Sequence, residues 1–357
     1  MITTVTLNAA IDKTYYLPQF GLAQVSRVQR MFAEPGGKGI NVARVIHQLG
    51  YPVIATGFAG GHNGRFIESA LTEQGIQHEF IHIEGESRIC LNIMDESTGA
   101  STELLEQGPS ISAEAWLFMQ TKLAQLAARS RIVCFSGSLP QGVPANGYAQ
   151  LIDIVKRAGC LAFLDTSGAA LLHGIAAKPD FVKPNEDELR ALLRLAGEGG
   201  AGIGIGIDAG AERGFGAPNL NAGNDVGVNA GAGSQSVEEL MPAHDRELNW
   251  AGLLRLHSQG LPKITVSLGS AGSISAYEGA LYSAKAPSIE PVNTVGCGDA
   301  FVAGMAVATA QGFSFQECLE QATATASANA LTDRAGHVRM KDVEHLLALI
   351  SVEPQSK

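Results

Sequence analysis

Asn293-Thr-Val-Gly-Cys-Gly-Asp-Ala-Phe-Val-Ala-Gly-Met-Ala-Val-Ala-Thr-Ala310 is the stretch on which the reading of this chain turns. Gly296, Cys297 and Gly298 are small, and a long run of small and apolar residues follows Asp299. That pattern is a tight glycine turn opening directly into a buried helix. The first amides of such a helix point outward unpaired, and the macrodipole adds partial positive charge there. The turn is therefore shaped to hold an anion. Asp299 is out of place in a plain anion site, because a fixed carboxylate repels phosphate. A carboxylate beside an anion hole makes chemical sense where a proton must leave a nucleophile that then attacks the bound phosphoryl group. Read alone, the fragment is equally an aspartate cap after a glycine turn. The rest of the chain decides between the two.

Length and composition narrow the class. With 357 residues, 45% of them hydrophobic and 17% charged, the chain can bury a large core as one α/β domain or two smaller ones. A formal net charge of −10, with no Lys/Arg-rich run, argues against nucleic acid or an anionic membrane as partner. A phosphate-bearing ligand must then be held by local amides and a few placed cations. Met1-Ile-Thr-Thr-Val-Thr-Leu-Asn8 reads as a strand and not as a secretory leader, and no apolar run suits a bilayer span. The 5 cysteines are scattered without metal-ligand spacing. Together these features suggest reduced thiols in a cytoplasmic protein.

A second glycine turn lies near the N-terminus, in Glu34-Pro-Gly-Gly-Lys-Gly-Ile-Asn-Val-Ala-Arg-Val-Ile-His-Gln-Leu-Gly50. Ile40, Ala43, Val45 or Ile46, and Leu49 keep helical spacing, and Gly50 is a good terminating residue. Gly36-Gly37-Lys38-Gly39 thus feeds a helix N-terminus, a second place for an anion or a hydroxyl. It is not a P-loop, because no Gly-Lys-Ser/Thr ending follows; taken alone it could be a packing turn. Before it, Ile2 to Leu7 alternates as a strand, Asn8 to Asp12 reads as a polar turn, and Tyr15 to Arg30 as a short-strand region. After it come a strand at Val53 to Phe58, a helix at Asn63 to Gln74, and a hairpin of Ile89–Met94 with Thr102–Leu105. Arg88 stands at the start of that hairpin, either as a surface charge or as a fork for phosphate.

From Ala113 helices and strands alternate. Expected helices at Ala113–Ala128, Gly147–Arg157, Ala169–Ile175 and Trp250–His257 each precede a strand, at Ile132–Phe135, Leu161–Leu164, Phe181–Lys183 and Lys263–Leu268. Repeated units of this kind make a parallel sheet with right-handed crossovers. The polar and glycine-rich clusters fall at the strands' C-terminal ends, where open α/β sheets bind ligands. One segment interrupts the alternation: Gly197 to Ser234 is rich in Gly, Ala and Asn and reads as a low-complexity, flexible insertion. Its Gly204-Ile-Gly-Ile-Asp-Ala209 matches a dinucleotide fingerprint formally. No strand precedes it, and Gly210 and Gly214 spoil a following helix, so it is a decoy.

These pieces, in this order, resemble the ribokinase-like (PfkB) family of carbohydrate kinases over nearly the whole chain outside the insertion. Both glycine-turn stretches match the family's signatures. So do Ser136-Gly-Ser-Leu-Pro140, Lys183-Pro-Asn-x-x-Glu-Leu189 and Val266-Ser-Leu-Gly-x-x-Gly272. Within the family, Thr4 to Asp12 and Gly85-Glu-Ser-Arg88 look like the phosphosugar kinases, the 1-phosphofructokinase, tagatose-6-phosphate kinase and minor 6-phosphofructokinase group. Thr102 to Pro109 is closer to the tagatose-6-phosphate kinase pattern. Cys297 departs from the usual Ala or Ser, though a small thiol still fits an anion hole.

The resemblance implies a single three-layer αβα domain over 1–357, with a mostly parallel sheet and a small β-sheet lid from strands within 12–35 and 87–106. It implies an enzyme that uses ATP and Mg²⁺ to phosphorylate the free primary hydroxyl of a ketohexose monophosphate. Asp299 would be the base, and the amides of Gly296, Cys297 and Gly298 would hold the transferring phosphoryl oxygens. Asp12, Gly37, Asn41 and Ser136 would bind the sugar, with Lys38 and Arg88 on the phosphate it already carries. Lys183, Asn185, Glu188, Ser267, Gly269, Gly272 and Asn329 would line the nucleotide channel, Glu188 reaching Mg²⁺ through water. The lid would pair into a homodimer. The alternatives are a kinase of an unphosphorylated sugar or nucleoside, and a non-catalytic sugar-phosphate sensor on the same fold.

Overall fold

In the computed structural model, residues 1–198 and 243–355 are described, and side chains within 195–249 are left aside. The first part of the chain runs β1 (Ile2–Thr6), β2 (Ala10–Leu17), β3 (Arg30–Gly36), α1 (Lys38–Gln48), β4 (Val53–Gly60), α2 (Gly61–Glu73), β5 (Gln77–Ile83), β6 (Arg88–Asp95) and β7 (Ser101–Leu105). The middle runs α3 (Ala113–Ala127), β8 (Ile132–Ser136), α4 (Gly147–Arg157), β9 (Leu161–Asp165), α5 (Gly168–Ala176), β10 (Phe181–Val182) and α6 (Glu186–Glu198). The last part is α7 (Ala243–Ser258), β11 (Lys263–Ser267), β12 (Ser273–Tyr277), β13 (Ala280–Ala284), α8 (Cys297–Gln311), α9 (Phe315–Ala330), α10 (Met340–Leu347) and β14 (Val352–Gln355).

The large sheet has the order β14-β13-β12-β11-β10-β9-β8-β1-β4-β5. Its β5-to-β11 part is parallel, and β11 to β14 are antiparallel. Alternation along each strand feeds two cores. On β8, Ile132 and Cys134 face one cluster with residues of α1, α2, α8, α9 and α10; Val133 and Phe135 face the other, with residues of α3, α4, α5, α6 and α7. Helices therefore cover both faces, and the three layers implied by the family resemblance are present. Helix α8 is apolar all round and buried along its length, which is what a helix enclosed between other elements requires.

The small sheet has the order β3-β2-β6-β7. Here the sequence reading needs correcting. Asn8 to Asp12 is not a polar turn: the turn is over by Ala9, and Asp12 lies within β2, paired with Glu34 of β3 and Cys90 of β6. Buried Ala10 and Ile11 and a partner on each side override the turn chemistry of the aspartate. The short-strand region at Tyr15–Arg30 resolves into the end of β2 and the start of β3. Strand β5 and the β12–β14 extension add to the elements expected from the sequence. Helix α7 starts at Ala243, earlier than Trp250, and Lys183 lies just beyond β10. Apart from Gly197 and Glu198, which complete α6, the 197–234 segment and its decoy fingerprint lie outside the described residues.

Candidate active site

The two glycine turns meet at the C-terminal edge of β1, β8 and β9. Gly36 and Gly37 connect the small sheet to α1. A Cβ on Gly36 would lie 2.1 Å from Cγ of Asp12, so only glycine leaves room for that carboxylate. Asp12 accepts a hydrogen bond from the Gly37 amide; burial raises its pKa, opposed by the charges of Arg44 and Arg88. One turn further along α1, Asn41 Nδ2 donates to Asp299 Oδ2 at 2.9 Å.

Asp299 itself is 5% exposed, in the first turn of α8. The helix begins after Gly296, whose φ of 84° is left-handed. A Cβ there would sit 2.6 Å from the Gly336 nitrogen, so the turn is seated directly on the 335–336 backbone. Burial pushes the Asp299 carboxyl up to about 6, against the pull of Lys38, with Asp165 adding to the rise. It remains mainly ionised at neutral pH, with its proton affinity tuned toward the working range of a base. Cys297 opens the helix; its thiol is pushed up by burial and accepts from Asn329 Nδ2 at 3.4 Å.

Between the turns lies a group the sequence reading did not assemble. Asp165, at the end of β9, is buried and has no hydrogen-bond partner for either oxygen. Lys38 Nζ and Lys183 Nζ each stand 3.6 Å from its Oδ1. The Lys38 side chain is 44% exposed and that of Lys183 5%. Asp165 and, more weakly, Asp299 and Glu188 raise the pKa of Lys38. Lys38 thus stands among Asp165, Asp299 and Glu188. Lys183 Nζ is 3.3 Å from where a Cβ of Gly298 would be, which puts this cation beside the helix N-terminus. The signal for Asp165 was its place at the end of a parallel strand, but an aspartate before Thr-Ser-Gly reads equally as a turn residue.

Arg88 opens β6 and donates to the Asn8 and Glu106 carbonyls at 3.1 and 3.2 Å. Its guanidinium is half-buried at the seam between the two sheets. Ser136 is buried with its hydroxyl unpartnered. On the other side, Asn185 and Glu188 form a reciprocal cap: the Asn185 amide donates to Glu188 Oε2 at 2.9 Å, and the Glu188 amide donates to Asn185 Oδ1 at 2.8 Å. The Asn-x-x-Glu pattern is thus a helix start, and Glu188 Oε1 is left over; burial raises its pKa. Ser267 bridges to Asn185, Gly269 begins a single 3₁₀ turn, and Gly272 closes it against the Ala284 carbonyl. Asn329 departs from expectation. It is fully buried, donates to the Val295 carbonyl at 2.9 Å and accepts from the His337 amide at 3.2 Å. Its amide braces the Gly296 turn from behind and has no surface to offer a purine.

Among the described residues no three His, Cys, Asp or Glu side chains are grouped to cage a metal, and no helix is long and apolar enough to cross a membrane. An open edge with two helix N-termini, two lysines and a buried carboxylate can hold a polyanion and remove a proton beside it.

Comparisons with known proteins identify the family. The model of the "pfkB family carbohydrate kinase" matches residues 5–203 and 235–339, with its break inside the glycine-rich segment. A tagatose-6-phosphate kinase of Staphylococcus epidermidis is 33% identical over 354 residues, 99% of each chain. Among solved structures, phosphofructokinase-2 of Escherichia coli in complex with potassium superposes with a TM-score of 0.79 at 23% identity, covering 98% of both chains. Arabidopsis thaliana ribokinase with ribose and ATP superposes with a TM-score of 0.69 at 22% identity, over 97% of this chain and 98% of that one. By the family match and the full-length relative, this chain belongs to the pfkB family of carbohydrate kinases.

Proposed function

We propose that this chain transfers the γ-phosphoryl group of ATP to the free primary hydroxyl of a ketohexose monophosphate, giving a 1,6-bisphosphate. Tagatose 6-phosphate, fructose 6-phosphate and fructose 1-phosphate are the candidate acceptors. The observation that carries the reading is a buried Asp299, ionised at neutral pH and held by Asn41, in the first turn of an open helix N-terminus. Asp299 takes the proton of the attacking hydroxyl. The amides of Gly296, Cys297 and Gly298, with Lys183 beside them, meet the charge that develops on the transferring phosphoryl oxygens. Asp12, Gly37, Asn41 and Ser136 hold the sugar, and Arg88 holds its phosphate. Lys38, paired with Asp165, neutralises charge between donor and acceptor. Asn185, Glu188, Ser267, Gly269 and Gly272 border the nucleotide.

Magnesium fits the oxygen donors present. Glu188 has one uncommitted oxygen, enough for an ion that keeps most of its waters and reaches the protein through them. Bound with ATP, it would neutralise phosphate charge. A coupled ADP-release assay across the three sugar phosphates, with fructose and ribose as unphosphorylated controls, tests the function. Turnover of the controls alone would overturn the sugar-phosphate reading.

Arg88→Ala removes a charge-assisted contact worth about 1.5–3 kcal/mol, so KM for the sugar phosphate rises on the order of 10- to 100-fold. KM for ATP stays put. Equal rises in both would mean that Arg88 supports the Asn8 and Glu106 segments instead of binding phosphate.

A second copy of this chain fits the outer lid. Met31 and Leu104, on the face of the small sheet away from Asp12, are 52% and 55% exposed, an apolar load that monomers seldom leave uncovered. The chain should sediment as a homodimer, and Met31→Lys with Leu104→Lys should give monomers. A monomeric wild-type protein would remove this part of the proposal. The acidic balance and the lack of a basic run fit small-molecule partners in the cytoplasm.

A further inference from the structure

Arg44 is a guanidinium in the interior of α1, within the buried run from Gly39 to Ile46 that also carries Asn41. It is 2% exposed, and burial lowers its pKa against the opposing charges of Glu34, Asp12 and Asp299. A buried cation is costly unless its donors are used. Nε donates to Gln74 Oε1 at 3.2 Å. One terminal nitrogen donates to Asn41 Oδ1 at 3.0 Å and to the Ala335 carbonyl at 3.2 Å. The other donates to the Pro35 carbonyl. These acceptors belong to both glycine turns. Pro35 leads into Gly36 and Gly37, and Ala335–Gly336 is the backbone on which Gly296 is seated.

The bond to Asn41 has a chemical consequence. A guanidinium has donors only, so the Asn41 atom facing it is the carbonyl oxygen. The amide nitrogen is thereby turned the other way, onto Asp299 Oδ2. An asparagine amide has two orientations of nearly the same shape, and the opposite one would set its oxygen against the carboxylate. We infer that Arg44 is a positioning residue of the phosphoryl transfer, setting the orientation of the Asn41 amide and through it the aim of the Asp299 carboxylate. This rests on the kinase reading above. The charged groups facing Asp299 are Lys38 from α1, Asp165 from β9, Lys183 beyond β10 and Arg44 itself. Those around Arg44 are Glu34, Asp12, Asp299 and Arg334.

The test compares R44M and R44K in the native and the N41A backgrounds. R44M lowers kcat by about 10- to 100-fold, the scale of a misplacement near 1 Å in a reacting group, with KM for ATP unchanged. R44K keeps a charge and fewer donors, recovers part of the loss, and carries the test if R44M does not fold. In the N41A background neither substitution lowers kcat further, because the residue through which Arg44 acts is gone. Losses that multiply across the two sites overturn the inference, as does a variant with lowered Tm and native kcat. A second readout needs no turnover: the ¹³C titration of the Asp299 carboxyl, assigned with D299N, moves to higher pH in R44K, which keeps the charge facing the carboxylate, as the Asn41 donor is lost. An unmoved titration overturns the inference whatever the activity. A wild type that phosphorylates no sugar phosphate sinks the kinase reading alone, because the titration still reports on the Arg44–Asn41–Asp299 relay.

Discussion

Asp299→Asn lowers kcat by at least about 10²-fold, within the 10²–10⁴-fold range for loss of a general base, and leaves KM for ATP unchanged. The substitution is nearly isosteric, and the new amide oxygen can still accept from Asn41. The fold has no reason to suffer. Burial raises the Asp299 carboxyl above its ordinary 3.8 to about 6, so the folded state disfavours its ionised form. That penalty is absent below the ordinary value, grows as pH rises through about 6, and is complete above it. Neutralising the group therefore leaves Tm at pH 7.5 equal or higher while activity collapses, a trade expected where a buried charge serves chemistry and not stability. The same pKa sets the wild-type pH profile. The base works ionised, so kcat/KM for the sugar phosphate falls as pH drops through about 6, and Asp299→Asn removes that limb from whatever activity remains. A variant keeping more than about a tenth of wild-type kcat would end the assignment of Asp299 as base.

Gly296→Ala lowers kcat on the order of 10²-fold and lowers Tm as well. Two effects combine. The backbone at 296 is left-handed, with φ 84°, which costs an alanine about 1–2 kcal/mol. The added Cβ would also stand 2.6 Å from the Gly336 nitrogen and 3.0 Å from the Ala335 Cα, and backbone cannot rotate out of the way. The turn must lift, and its amides leave the positions where the transferring oxygens develop charge; losing one such donor alone costs about 10²–10³-fold in kcat. Gly312→Ala separates the two effects. Gly312 ends the same helix with φ 86° and has nothing within 4 Å of its Cβ position. It should lose a little stability and keep kcat. Equal losses of kcat at 296 and 312 would mean that strain in α8, and not the seating of the turn, is what activity feels.

The architecture was legible because its causes are local. Strands such as Ile132–Ser136 are apolar throughout because both faces are covered, and the helices between them carry the spacing that covers those faces. Both glycine turns were legible for the same reason, because a turn, a helix start and an aspartate are written within a few consecutive residues. Strand β2 was misread because Asn8, Ala9 and Asp12 carry turn chemistry locally, while the pairing that makes Asp12 a strand residue comes from β3 and from β6, far along the chain. Lys38 and Asn329 show the same limit in side chains. A lysine after a glycine turn suits any phosphate, and only the fold brings the end of β9 to 3.6 Å from it. An asparagine in a small-residue helix could face a ligand or the core, and only packing against Val295 and His337 turns it inward.

The sequence by itself determined the layered α/β framework, the two helix N-termini and Asp299 as the odd carboxylate beside one of them. The tertiary structure alone decided what surrounds that carboxylate: the Asn41 amide, the Asp165 pair of lysines, and Arg44 behind them. The physical reason is range. Propensity, capping and turn geometry act over a few residues, whereas proton affinity depends on burial, on charges and on hydrogen-bond donors far off in the chain, as Asn41 lies 258 positions from Asp299.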